Sequence, residues 1–231
     1  MTRARAVAAS EILLCSGIPS QVLIANLLVL AGVPPPTEHP TLTFIAAVLL
    51  LDTLVVVTLM VLLTRSRGQS VRALWLGPRP WTREALLGIA LVPIVFGMVI
   101  ALLTVLRQAA PGLHSVPVNP LEQLAQQGPY QSALFGFVAI VGGGVREELQ
   151  RAFMLQRFEE HLGGGRLGVI VLSVAFGLGH AEQGWDAVLA TGAIGAFWAV
   201  LYRLRRSTIA PMVSHAGFNG LEVLRAALLV A

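Results

Sequence analysis

The stretch from Thr41 to Thr64, TLTFIAAVLLLDTLVVVTLMVLLT, decides the fold class of this 231-residue chain. A helix that crosses a bilayer needs roughly 17–25 mostly apolar residues, and this run reaches that length with a single charged residue, Asp52. The whole chain has the same character, with 55% hydrophobic residues, 12% charged residues and a mean hydropathy of +0.76. This composition excludes an ordinary soluble domain and predicts a polytopic integral membrane protein.

Further apolar stretches lie on both sides of this run. The long ones are at about 10–32, 85–106, 186–202 and 208–230, and two short or interrupted ones are at about 131–155 and 167–181. We therefore expect an all-α, polytopic transmembrane helical bundle of about seven membrane helices, within a range of six to eight, which forms one integral membrane domain over residues 1–231. The first stretch carries Glu11 and has no small-residue cleavage site, which favours a retained span over a signal peptide.

Arginine supplies all the positive charge, because the chain contains no lysine. The arginine-rich loops are 65–83, 151–166 and 203–206, and the loops poor in arginine are 32–40, 107–130 and 181–186. The positive-inside rule places the first set, together with the N-terminus, in the cytoplasm. The expected location is the inner (plasma) membrane, with multiple passes. The expected surroundings are lipid, and no nucleic-acid partner is expected because the arginines form no broad basic face.

Local patterns give three smaller structural expectations. Cys15 lies in an apolar run and is expected to fill space in the core rather than to react. Arg225, late in the last apolar stretch, is expected to pair with Glu222 one helical turn earlier. Residues 120–128 are expected to form a short interfacial helix within an otherwise irregular outer loop.

A small set of polar side chains interrupts the apolar stretches. An ionisable group near the bilayer centre costs about 2.5–3.5 kcal/mol on insertion scales, so each one needs a partner or a function. The candidates are Asp52, Glu147, Glu148, Arg151, His180, His215 and Asn219. Asp52 has no partner nearby in the sequence, and a structural role is at least as well supported for it as a functional one.

The stretch GGGVREELQRAF, residues 142–153, carries most of these charges. Glu147 and Glu148 are four and three positions from Arg151, so on a helix either acid can lie beside the guanidinium. Adjacent residues point about 100° apart, so the two glutamates cannot face the same spot. One of them can react while the other braces the site.

Two further motifs place histidines in later stretches. His215 and Asn219 are four residues apart and share one helix face. His180 ends the glycine-rich run FGLGH. A carboxylate can take a proton from water, a histidine can orient that water or bind a metal, and a histidine with an asparagine can stabilise an oxyanion. This combination predicts peptide-bond hydrolysis within the membrane.

These residues resemble the CPBP family of intramembrane proteases, the CAAX prenyl protease and bacteriocin-processing group also called Abi. The family motifs are EExxxR, FxxxH and HxxxN on successive membrane helices, and the last two match Phe176 to His180 and His215 to Asn219. The first motif departs by one residue. Alignment on the acids places Arg151 one position early, whereas alignment on Arg151 places Arg146 where the first acid belongs.

The resemblance covers about 141–222 and implies a CPBP/Abi catalytic core over 129–222. It implies an endopeptidase that cuts a membrane-associated or lipid-modified protein or a peptide precursor. It also implies that Glu147 or Glu148 activates water together with His180, that His215 and Asn219 form the oxyanion hole, and that Arg151 and Phe176 support the site.

The metal dependence of such an enzyme is open in the sequence. The family is also described as metalloproteases, and a divalent metal such as zinc would need three protein ligands, which Glu147, His180 and His215 could provide. The chain has no HExxH motif, the usual signature of zinc proteases. A metal-free, glutamate-type mechanism uses the same residues and is equally supported.

Two other functions compete with proteolysis. Buried charges also mark substrate paths in transporters, although no inverted repeat or pair of broken helices indicates transport here. A catalytically inactive membrane scaffold is the third possibility. Helix geometry adds a constraint: straight spans that start at 167 and 208 would place His180 about 20 Å and His215 about 12 Å from the cytoplasmic side.

Overall fold

The computed structural model describes residues 2–33 and 41–228, so most of the predicted outer loop 32–40 lies outside the described residues. Within those two ranges the chain is helical and contains no strand, which confirms the predicted all-α bundle. The helices are α1 Arg3–Leu14, α2 Ile18–Leu30, α3 Leu42–Ser66, α4 Val71–Trp75, α5 Trp81–Ala109, α6 Pro120–Ala125, α7 Pro129–Val138, a π-helix Ala139–Arg146, α8 Glu147–His161, α9 Gly165–Leu178, α10 Trp185–Arg205 and α11 Ile209–Leu228. The short helix expected within 120–128 is α6.

Three helices in the described part of the chain are each long and apolar enough to cross a membrane: α3, α5 and α10. A fourth span results if the bent pair α1 and α2 counts as one, and α9 is apolar but shorter, at 14 residues. These helices support an integral membrane protein. The number of seven spans stays a prediction.

The first apolar stretch is divided into two helices. α1 ends at Leu14, α2 begins at Ile18, and the pair is bent by 40°. Gly17 adopts φ +85°, a conformation that glycine tolerates and other residues rarely adopt. Pro19 lies in the first turn of α2, where its missing N–H removes no helical hydrogen bond. The bend therefore follows from the local sequence.

A π-helix joins α7 to α8 without a loop. It contains the three consecutive glycines 142–144 and ends at Arg146, immediately before the two glutamates. A Cβ atom added at Gly144 would lie 2.5 Å from the Cα atom of Ala216, so the π-helix packs against the α11 backbone at this point. π-turns are rare and occur often at functional sites. Because α8 continues directly from this π-helix, the π-helix determines the directions in which the first α8 side chains, Glu147 and Glu148, point.

The main apolar core surrounds α8. Four α8 side chains pack against α3, α10 and the end of α1: Ala152, Phe153, Met154 and Leu155. Cys15 is buried in the same cluster, which confirms its predicted packing role. Close packing of this kind holds helices together in lipid, where burial of apolar surface gives little driving force.

Ion pairs close both ends of the bundle. The pairs between segments predicted to be cytoplasmic are Glu11 with Arg67 and Arg157, Glu84 with Arg205, and Glu159 with Arg203 and Arg206. The pairs between segments predicted to be outside are Asp186 with Arg107, and Arg225 with Glu122 and Glu222. Arg225 is an exception to the charge rule, because it is an arginine at the end of the bundle that is predicted to lie outside. The predicted pair of Arg225 with Glu222 is confirmed, at 2.9 Å.

Candidate active site

Glu148 is the buried acid of the site. It lies in the first turn of α8 with 1% of its surface exposed, and its Oε1 atom forms an ion pair with Arg151. The same oxygen lies 2.9 Å from Nδ1 of His215 in α11. Of the two acids that could lie beside Arg151, the structure therefore selects Glu148. Its Oε2 atom is buried and has no hydrogen-bond partner among the described residues.

Glu147 is the more accessible acid, with 22% of its side chain exposed. Its Oε2 atom lies 3.9 Å from Nε2 of His215, and its Oε1 atom lies 3.6 Å from Nη2 of Arg146. The imidazole of His215 is thus placed between two carboxylates, one at each ring nitrogen. The helical rotation that separates Glu147 from Glu148 produces this bracketing, because each acid approaches a different edge of the ring.

Aromatic rings fix the plane of His215. Its imidazole stacks on the buried indole of Trp198, with ring centroids 3.8 Å apart and an angle of 17° between the planes. The Phe176 ring meets it edge-on at 6.0 Å. Trp198 is itself held by a hydrogen bond from Nε1 to Oγ of Ser214, at 3.3 Å. No motif in the sequence indicated Trp198, which is one of three aromatic residues in the apolar stretch 186–202.

The Phe176 ring connects the two predicted motifs. The Arg151 guanidinium lies over its face at 4.6 Å from the centroid, and the His180 ring packs against it at 5.0 Å. His180 and His215 therefore contact the same ring, although they lie in different segments of the chain. Both histidines thus reach the Phe176 ring, although straight spans would place them at different distances from the cytoplasmic side.

His180 follows the end of α9. Its Nδ1 atom lies 2.8 Å from the carbonyl oxygen of Phe176. A carbonyl can only accept, so Nδ1 carries the hydrogen and Nε2 keeps its lone pair in the neutral ring. No hydrogen bond or ion pair in the described part of the chain joins His180 to Glu147 or Glu148.

Asn219 shares the α11 face with His215, as predicted from their spacing. Its Nδ2 atom donates to the carbonyl oxygen of Ala139 in the π-helix, at 2.9 Å. A Cβ atom at Gly143 would lie 2.4 Å from the same nitrogen. The amide thus rests directly on the glycine backbone of the π-helix, and glycine at this position makes room for it.

Asp52 has its partner in the π-helix, far away in sequence. The carboxylate is fully buried and accepts a hydrogen bond of 2.9 Å from Nη1 of Arg146. Two α2 side chains, Ser20 and Gln21, also donate to it. A buried charge with three donors is satisfied, so Asp52 has the structural surroundings that the sequence left open.

The predicted metal ligands Glu147, His180 and His215 do not form a compact donor set. No group of three or more His, Cys, Asp or Glu side chains in residues 2–33 and 41–228 lies close enough together to hold a metal ion. Glu147 lies 3.9 Å from His215, whereas the contacts of His180 are with the ring and the carbonyl oxygen of Phe176. A zinc site with three protein ligands does not fit this arrangement.

The site thus places a buried imidazole between two carboxylates within a helical bundle, and these are groups that can exchange protons with water. Residues 129–221 match the family model described as Rce1-like, type II CAAX prenyl endopeptidase Rce1-like. This match agrees with the resemblance found in the sequence and supports a CAAX-type endopeptidase in general. No curated protein and no solved structure matches the chain.

Proposed function

We propose that the chain is an intramembrane endopeptidase in which Glu147 activates a water molecule. It hydrolyses a peptide bond in a membrane-associated or lipid-modified protein, or in a peptide precursor. The observation that carries this proposal is the 3.9 Å separation between the accessible Glu147 carboxylate and Nε2 of His215. A base and a hydrogen-bond donor that face each other across such a gap can act on one scissile bond.

Glu147 takes the proton from water as the oxygen attacks the scissile carbonyl carbon. The same carboxylic acid then gives the proton to the leaving nitrogen as the C–N bond breaks, so Glu147 returns to its starting form. Of the two acids, Glu147 suits this role because its carboxylate is accessible and makes only long ionic contacts, with Arg146 and His215. Glu148 is buried and already engaged by Arg151 and His215.

His215 stabilises the oxyanion in this proposal through Nε2–H. Its Nδ1 faces the Glu148 carboxylate and its plane is set by Trp198, so Nε2 has a fixed direction. The charged side chains around it are Arg146, Arg151, Asp52, Glu147 and Glu148, whose formal charges sum to one negative charge. Fixed donors of this kind typically account for 10²–10³ in rate.

Asn219 and His180 complete the proposed machinery. The Asn219 amide has two N–H donors, and one of them donates to the carbonyl oxygen of Ala139 in the π-helix. In this proposal the second N–H donates to the oxyanion together with His215. The resemblance assigns His180 to orienting the attacking water, and its ring packs against Phe176, which also contacts His215. No step of this proposed reaction requires a metal ion.

The family description supplies the first substrate to try. It names a CAAX prenyl endopeptidase. A CAAX motif is the C-terminal sequence of a protein, in which a prenylated cysteine is followed by two aliphatic residues and a variable last residue. We propose the inner membrane as the location and a cytoplasmic N-terminus, on the basis of the arginine distribution. A peptide precursor of another kind is the alternative substrate within the same reaction.

The test uses purified protein in lipid vesicles with a farnesylated CAAX peptide, and the same peptide without the farnesyl group, followed by mass spectrometry. The expected result is cleavage by the wild type and a loss of at least about 100-fold in Glu147→Gln. Glu122→Gln is the matched control, because Glu122 pairs with Arg225 away from the site. It should cleave within about twofold of the wild type.

An unbiased version compares protein termini in membranes from cells that carry the wild type or Glu147→Gln at equal abundance. Termini that disappear in the variant identify natural substrates and support proteolysis. Unchanged termini, together with intact CAAX peptide in the vesicle assay, would contradict the proposal. A transport or scaffold function would then be the better explanation of the buried charges.

A further inference from the structure

The Arg146 guanidinium contacts three different groups. Nη1 donates to Asp52 at 2.9 Å, Nε donates to the carbonyl oxygen of Gly142 at 3.3 Å, and Nη2 lies 3.6 Å from Oε1 of Glu147. Only 5% of the residue is exposed. Arg146 therefore connects a buried anchor, the π-helix backbone and the proposed base through one rigid planar group.

The anchor is built by the N-terminal helices. Asp52 in α3 is fully buried, and Ser20 and Gln21 of α2 hold its two oxygens. A Cβ atom at Gly17 would lie 2.9 Å from Nη1 of Arg146 and 3.3 Å from Oδ2 of Asp52. The bend between α1 and α2 thus leaves room for this ion pair. All of these anchoring residues precede the region 129–221 that matches the family model.

We propose that Arg146 is a positioning residue for Glu147 and that Asp52 sets the direction of its guanidinium. This inference rests on the proposed function, in which Glu147 is the base. Contact of Nη2 with Oε1 leaves Oε2 as the oxygen turned toward His215. The residue that stands where the family motif has an acid therefore orients the acid that follows it.

Arg146→Lys separates this role from simple charge balance. A lysine keeps one positive charge for Asp52, but its single ammonium cannot hold three partners in fixed directions as a planar guanidinium does. We expect kcat to fall on the order of tenfold with KM unchanged, because a slightly misplaced base slows the reaction without weakening binding. Asp52→Asn should produce the same pattern, since it removes the anchor and leaves Arg146 in place.

Arg205→Lys is the matched control. Arg205 also binds a buried carboxylate, that of Glu84, but at the end of α10 and away from the site. The kcat of Arg205→Lys should stay within about twofold of the wild type.

The double variant Asp52→Asn with Arg146→Lys should lose no more activity than the worse single variant, because both substitutions act on the one contact between Arg146 and Glu147.

The measurement is the cleavage rate, over a range of substrate concentrations, of the peptide that the wild type cuts and Glu147→Gln does not. A lower kcat at constant KM in Arg146→Lys supports the inference. Unchanged kcat in Arg146→Lys, with Glu147→Gln inactive, overturns this inference and leaves the proposed function intact. Full activity of Glu147→Gln overturns the proposed function itself. If Arg146→Lys does not accumulate, Asp52→Asn decides by the same criterion.

Discussion

Nδ1 of His215 lies 2.9 Å from Oε1 of Glu148, although the two residues are 67 positions apart in sequence. This contact joins α8 to α11 at the level where the π-helix ends. The contact gives the two adjacent glutamates different surroundings. Glu148 is engaged by Nδ1 of His215, whereas Glu147 is accessible and lies near Nε2, at the opposite edge of the ring.

The two glutamates should differ in their effects on stability. Glu148→Gln leaves the buried Arg151 without its counter-charge, which typically costs about 3–5 kcal/mol. Glu147→Gln removes only a long ionic contact and should cost less than about 1 kcal/mol. Thermal unfolding in detergent should therefore show a large shift for Glu148→Gln alone, while both variants lose activity. Equal shifts in the two variants would contradict this division of roles.

The three glycines of the π-helix should respond differently to alanine. At Gly142 the nearest atom to a new Cβ is 3.9 Å away, so Gly142→Ala should be close to neutral. At Gly144 the new atom would lie 2.5 Å from the Ala216 backbone, so Gly144→Ala should cost on the order of 2–3 kcal/mol.

Gly143→Ala should separate activity from stability. Its new Cβ would meet only the Asn219 amide, at 2.4 Å, and that side chain can move aside. We expect near-normal thermal unfolding with a loss of activity on the order of tenfold or more, since the amide is displaced from the proposed oxyanion site. Normal peptide cleavage by Gly143→Ala would contradict the role given to Asn219.

The stacking under His215 should be replaceable by another aromatic ring. Trp198→Phe keeps a flat face beneath the imidazole, whereas Trp198→Leu removes it and leaves space around a fully buried position. We expect kcat for Phe to exceed that for Leu by roughly tenfold, a difference of about 1.4 kcal/mol. Ser214→Ala, which removes the partner of the indole N–H, should lower stability by about 1 kcal/mol. Identical kcat values for Phe and Leu would show that the stack is dispensable.

The ion pairs of Glu159 should make stability depend on pH at the end of α8. Partial burial acts to raise the pKa of the Glu159 carboxyl, but hydrogen bonds from Arg206 and Arg203 outweigh it and hold the pKa below its ordinary value of 4.5. A lowered pKa in the folded state means that the stabilisation is complete above pH 4.5 and is lost as the pH falls through the folded value. Glu159→Gln should therefore cost about 1 kcal/mol at pH 7 and progressively less in acid, as measured by unfolding of both proteins across this range. A constant difference between them would contradict the assignment.

Removal of divalent metal should leave cleavage unchanged. No three His, Cys, Asp or Glu side chains among the described residues lie close enough together to bind a metal ion, so we expect cleavage not to depend on a three-ligand zinc site. Peptide cleavage after dialysis against a strong chelator should stay within about twofold of the untreated protein. Activity that is lost on chelation and returns with zinc would require the two histidines to come together in the working enzyme.

The sequence predicted the parts of the fold that depend on composition and short spacing. Apolar length and charge predicted an all-α membrane bundle. The helical spacing of three and four residues predicted the pair of Arg225 with Glu222 and allowed either Glu147 or Glu148 beside Arg151, of which the structure has Glu148. The spacing of His215 and Asn219 predicted that both lie on one face of their helix, where they contact Glu148 and the carbonyl oxygen of Ala139.

Contacts between distant segments could not be predicted in this way. Nothing near Asp52 indicates Arg146, which lies 94 positions later, and no periodicity identifies Trp198 as the residue beneath His215. The division of the first apolar stretch was also missed, because hydropathy measures length and does not register one glycine at φ +85°. The roles given to the site residues stay predictions until the variants are measured.

The buried anchors of α1 and α3 limit how far the catalytic region can stand alone. Asp52 is the buried counter-charge of Arg146, and Glu11 is that of Arg157, a residue with no exposed surface. A chain that began at residue 129 would keep both guanidinium groups and lose both carboxylates, with a cost of several kcal/mol for each uncompensated charge. Only the longer contacts with Glu147 and Glu160 would remain. We therefore expect the segment that the family model matches to be unstable without the helices that precede it.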